Sequence, residues 1–110
     1  MSAFFESEII KDALDDINKL QEDVYGKLVH FHLMNHDEQV DHVSKLTELL
    51  DKQRIMYTRL SLSDDPDAVI MKESLNKTVT MMGYPEGTDI AVLFKNMHAT
   101  IDALKEFLEA

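Results

Sequence analysis

The chain has 110 residues, 45% of them hydrophobic and 29% charged, with 21 acids against 11 bases and a formal net charge of −10. That length fits one small domain, and that balance fits a globular chain rather than a disordered one. The charge works against direct binding of a phosphate backbone or an anionic membrane surface, and the absence of cysteine excludes disulfides, thiolate nucleophiles and cysteine-type zinc sites.

Only three glycines and two prolines are present, too few turn residues for an all-β fold. The opening Met-Ser-Ala-Phe-Phe-Glu-Ser-Glu has neither the basic region nor the apolar run of a signal peptide. No apolar stretch is long enough to span a bilayer. The expectation is a cytoplasmic protein with no membrane partner.

The hydrophobic spacing predicts one all-helical domain over residues 1–110, with helices near 6–33, 36–61, 66–82 and 89–109. In the first, Ile9, Ile10, Ala13, Leu14, Ile17, Leu20, Val24, Leu28 and Phe31 share one face at about 100° per residue. Asp12, Asp15, Asp16, Glu22 and Asp23 share the other. Ser7 or the acids beside it can satisfy the free N–H groups at the start. Gly26 lies on the polar side, where it weakens or bends the helix without opening the core.

Asn35 and Glu38 have capping-box spacing, which starts the second helix. Its stripe is Val43, Leu46, Leu49, Leu50, Met56, Tyr57 and Leu60. Arg54 falls about 40° from Leu50 and so places a permanent charge at the edge of the apolar arc, where a charge needs a partner. Gln53 lies on the same arc. The plain reading of Arg54 is a stem that snorkels to water. The sharper one is a partly buried ion pair that sets helix register or oligomer pairing.

Asp65-Pro66 is a strong start for the third helix, whose stripe is Ala68, Met71, Leu75, Val79 and Met82. Gly83 supplies a left-handed stop and Pro85 prevents continuation. The fourth begins at Thr88 or Asp89 and carries Ile90, Leu93, Phe94, Met97, Ile101, Leu104 and Leu108. Short connections predict antiparallel neighbours. The expected fold is therefore all-α, a four-helix antiparallel arrangement dominated by a long helical hairpin. Hairpin helices of roughly 40 Å outrun what two shorter helices can cover. Ile55 and Val92 also project off their own stripes. Both features point to completion by homo-oligomerisation, most simply a two-fold dimer.

Four of the five histidines, His30, His32, His36 and His42, crowd around the predicted turn. On one continuous helix His30 and His32 diverge, but a turn near Asn35 gathers His32, His36 and Asp37 and leaves a metal site with His42 as an alternative reading. The favoured reading is a solvated helix–turn segment, since no zincin-like pair occurs. His98 reads as a core-edge histidine bonded to a neighbouring helix. Adjacent acids such as Asp15-Asp16 and Asp64-Asp65 are too common here to mark a site, and the Glu-x-x-His pattern of di-iron bundles is absent. There is no glycine-rich phosphate loop and no serine–histidine–acid arrangement, so no cofactor is called. Met81, Met82 and Met97 read first as core, second as an adaptable binding groove.

Two stretches carry a family likeness. Phe4-Phe5-Glu6-Ser7-Glu8-Ile9-Ile10, and the run from Leu50 to Ser63 containing Arg54-Ile55 and Arg59-Leu60-Ser61, resemble a small cyanobacterial and cyanophage family of unknown function. Tyr25-Gly26-Lys27 and Met82-Gly83 are similar to it as well. The stretch from Leu28 to Gln39 departs from the family pattern and is longer, so the resemblance lends nothing to the histidines. It implies a helical fold, a cyanobacterial or phage setting and a shared role for Arg54, Ile55 and Arg59, but no reaction.

The functional reading is a non-enzymatic helical protein that acts through self-association or a host protein, with Gln53, Arg54, Ile55, Tyr57 and Arg59 as interaction or register residues. Two other classes stay open: a metal-binding protein using His32, His36, Asp37 and His42, and an acidic mimic of nucleic acid.

Overall fold

The computed structural model describes residues 3–109 and is all-helical, with no strand among the described residues. Five α-helices follow in chain order: α1 (Ala3–Glu6), α2 (Glu8–Leu28), α3 (His36–Leu62), α4 (Pro66–Met81) and α5 (Ile90–Glu109). A 3₁₀ turn, Phe31–Leu33, lies between α2 and α3.

The helix expected near 6–33 is thus three pieces. Ser7 is extended (φ −62°, ψ 132°) and breaks the helix before it begins its long run. The break lets Phe4 and Phe5 leave the line of α2 and pack against the cluster built by α3, α4 and α5. The Phe4 N–H donates to the Asp65 carboxylate at 3.2 Å, which fixes the turn. At the other end the helix stops at Leu28, five residues early, because the chain must reverse within a short span to enter α3. Phe31 therefore lies in the turn, not on the α2 stripe.

The remaining boundaries agree to within a residue, because their signals are local. The Asn35 side chain accepts from the Glu38 N–H at 2.9 Å and the Glu38 carboxylate accepts from the Asn35 N–H at 3.4 Å, a complete capping box. Asp65 caps α4 by accepting from the Asp67 N–H, with Pro66 at the first helical position. Gly83 takes the left-handed backbone that ends α4 (φ 101°).

α3 is the central element. At 27 residues it is about 40 Å long, and it packs against α2, α4 and α5. The ion pairs Lys45–Asp23 and Lys52–Asp16 descend in register, so α2 and α3 run as an antiparallel hairpin. The molecule measures 47 × 34 × 20 Å, so it is two helix diameters thick and holds no third layer.

Among the described residues the buried side chains form two clusters rather than one four-helix core. One cluster joins Leu50, Tyr57, Leu60, Ala68, Val79, Ile90 and Phe94. A second holds only Ile17, Val24 and Leu49, with Leu20, Leu46 and Met56 packed on it. The buried positions of α2 are Ile10, Ile17 and Val24, one residue in seven. Ile9 and Leu28, expected in the core, are exposed. A helix with one long neighbour buries a narrow seam and leaves the flanks of a wide stripe in water.

Candidate functional site

Three helices present the same four-point spacing toward one space. α3 supplies Gln53, Met56, Tyr57 and Leu60; α2 supplies Leu14, Ile17, Asn18 and Gln21; α5 supplies Ile90, Leu93, Phe94 and Met97. Each set is i, i+3, i+4, i+7, the face of two helical turns. α4 closes one end with Met71, Leu75 and, at its C-cap, Met82, and Phe5 reaches in from α1. The result is an open groove of about 540 Å³ with no charged residue in its lining. Four of its residues are methionines, unbranched side chains that adapt to what they cover. Met71, Met82 and Met97 are exposed on its lip. The favoured sequence reading of these methionines as core is corrected here: a bundle that leaves α2 and α5 on separate flanks of α3 has no helix to cover them.

One wall of the groove is held by a polar latch. The Tyr57 hydroxyl donates to Asp89 Oδ1 at 2.7 Å. The same oxygen accepts the Ala91 N–H at 2.9 Å, and Asn76 Oδ1 accepts the Ile90 N–H at 2.9 Å. Burial, reinforced by Asp89, pushes the Tyr57 phenol above its ordinary range, so it stays a neutral donor. Tyr57 and Phe94 rings lie 6.1 Å apart across the α3–α5 contact. The latch caps α5 and ties it to α3 and α4, which is a positioning task.

The five residues expected to form one interaction site are divided. Gln53 and Tyr57 face the groove. Ile55 and Arg59 line a separate hollow of about 180 Å³ beside Ala13 and Asp16 of α2. Arg54 faces neither: its side chain is 55% exposed, and its carboxylate contact is Asp51 at 3.8 Å, one helical turn away. The buried arc reaches round α3 to Val43, and Arg54 stands about 20° beyond it, so its charge lies at the edge of that arc with its head in water.

Asp51 is engaged a second time, by His98 Nε2 at 2.7 Å. His98 is thus the helix-bridging histidine that its place on the α5 stripe predicts.

The residues of the metal reading are not brought together. His32, His36 and Asp37 are exposed, while His42 is buried at 2% exposure. Among the described residues no three His, Asp or Glu side chains gather to hold an ion. The turn at Asn35 reverses the chain, which sends the exposed residues outward and turns His42 inward under the Phe31 ring, 5.5 Å away. Sequence reasoning missed His42 as core, although its spacing of seven from Leu49, and of fourteen from Met56, places it on the α2-facing seam. Burial, with help from Lys27 and Lys45, depresses its pKa below the ordinary histidine value, against the weaker opposite pull of Asp23 and Asp41.

Fold and groove together define an all-α protein organised on one long central helix with an uncharged, methionine-lined face. The chain belongs to the family described as domain of unknown function DUF1825, which matches residues 2–108. No curated protein and no solved structure matches it. No helix among the described residues is long and apolar enough to cross a membrane.

Proposed function

We propose that this chain is a non-enzymatic helical assembly protein that self-associates as a two-fold dimer through the groove on α3. The observation that carries this reading is the uncharged groove itself, an apolar face larger than a lone surface residue and open on one side. An occupant is available in a second copy. About 100° round α4 from the lip residues Met71 and Met82 stand Ile70 and Met81, both exposed. Groove and ridge adjoin, so both can fall within one self-complementary patch, the form an isologous contact takes. Arg54 follows Gln53 on α3 but points out of the groove, so its part in register rests on reaching the partner copy beyond the lip.

Two copies bring −10 against −10. Screening by salt therefore tightens a dimer, whereas it weakens the grip on a basic partner helix. In the cyanobacterial or phage setting implied by the resemblance, that partner is a host protein.

Sedimentation at tens of micromolar tests the proposal. A dimer that strengthens with salt is expected, and Met82→Asp and Met97→Asp, both at exposed positions, should each weaken it about tenfold or more by placing a charge in a dehydrated lip. A monomer at that concentration, or a dimer indifferent to both variants, overturns it. Arg54→Leu should alter the sedimentation; unchanged sedimentation and melting would leave Arg54 a snorkelling surface residue.

A further inference from the structure

His42 sits where a histidine is costly. It is 2% exposed, and among the described residues neither Nδ1 nor Nε2 has a hydrogen-bond partner or reaches solvent. A neutral imidazole always carries one N–H, so the closed structure leaves a donor and an acceptor unsatisfied. An apolar residue of similar size would pack there without that loss. The cost falls at the far end of the α2–α3 hairpin, away from the polar latch of Tyr57.

The surroundings form a clasp. The Phe31 ring covers the imidazole at 5.5 Å. The Gln39 side-chain amide donates to the Phe31 carbonyl at 3.1 Å and pins the 3₁₀ turn onto α3. From α2, Asp23 and Lys27 act on the ring; from α3, Asp41 and Lys45 do. Both acids already serve lysines: Asp23 pairs with Lys27 at 3.0 Å and Lys45 at 3.4 Å, and Asp41 with Lys45 at 3.6 Å. Neither carboxylate hydrogen-bonds the ring, so a proton taken up there forms no direct ion pair inside the closed clasp.

We propose that His42, Phe31 and Gln39 form an acid-opened clasp: protonation of His42 releases the Phe31–Leu33 turn and the adjoining ends of α2 and α3 from their closed packing. The closed form disfavours the charged ring, chiefly through burial. In the open form the ring titrates near its ordinary value of about 6.5. The sign follows directly. Above that value neither form takes the proton and closure is fully stable. As pH falls below it the open form gains the proton first, and closure weakens by about tenfold per pH unit until the depressed folded pKa is reached. Carboxylates that titrate lower do not contribute over the first part of that range.

Amide hydrogen exchange on the full chain, expressed as protection factors at pH 7 and pH 5, reads the clasp directly. Protection over residues 27–36 should drop about tenfold or more, while residues 68–79 of α4 keep theirs. His42→Leu should remove the drop, and His32→Ala, at an exposed turn position, should retain it. Should His42→Leu fail to fold, the ring titration of His42 in the wild-type protein decides by NMR. A His42 pKa at or above the ordinary value, or a pH response unchanged by His42→Leu, overturns the proposal.

Discussion

Leu49 and Leu50 are chain neighbours on α3, yet they belong to different cores. Leu49 packs with Ile17 and Val24 in the α2–α3 arm. Leu50 packs with residues of α4 and α5, and α1 adds Phe4 and Phe5 to the same cluster. The two regions are also tied differently. The arm is crossed by Lys45–Asp23 and Lys52–Asp16, ion pairs whose side chains remain a third or more exposed. The other region is tied by the part-buried Tyr57–Asp89 and Asn76–Ile90 hydrogen bonds. One helix thus divides its load between a narrow two-helix seam flanked by exposed charge pairs and a many-sided cluster tied by part-buried hydrogen bonds. Exposed pairs contribute little and are screened, while buried hydrogen bonds and packed side chains are indifferent to salt. The arm is the part built to yield.

The sharpest way to break this contrast is a pair of adjacent truncations. Leu50→Ala should cost about 3–5 kcal/mol in denaturant unfolding, because several elements must collapse onto the cavity together. Leu49→Ala should cost about 2–3 kcal/mol, because α2 alone can shift inward. Equal losses would mean that the two clusters behave as one core.

Tyr57→Phe comes next. It leaves Asp89 short of one donor and should cost about 1–3 kcal/mol by thermal or denaturant melting, with protection lost in α5 before α2. Gly26→Ala acts in the opposite direction. Its Cβ would meet nothing within 4 Å, and the helical backbone there has no positive φ, so a gain of about 0.5–1 kcal/mol is expected from the reduced entropy of the unfolded chain.

The smallest effect is electrostatic and sharpens the contrast. Raising salt should lower hydrogen-exchange protection in the arm and leave α4 and α5 unmoved. Acid acts on the arm twice. His42 is followed, lower down, by Asp23, whose carboxyl Lys27 holds below the usual carboxylate range. A depressed carboxyl stabilises the fold above its ordinary pKa and loses that stabilisation as pH falls through the folded value.

Much of the groove was legible as spacing. The quartets on α3 and α5 lie within the predicted stripes, and methionine on them was the cue for an adaptable surface. What the spacing did not reveal is that the faces of α2 and α5 stay apart and leave the stripe of α3 open between them. Arg54 was legible as an edge residue: its projection next to Leu50 put it at the rim of the arc, and it stands there 55% exposed, one turn from Asp51.

The sequence by itself determined the all-helical class and nearly every helix end after the first. Asn35 with Glu38, Asp65 with Pro66, and Gly83 satisfy backbone groups within a few residues, so their effect needs no distant partner. Only the tertiary structure decided the break at Ser7, the exposure of Ile9 and the separation of the α2 and α5 faces. Those outcomes depend on how many helices stand beside a given face, which no single segment encodes.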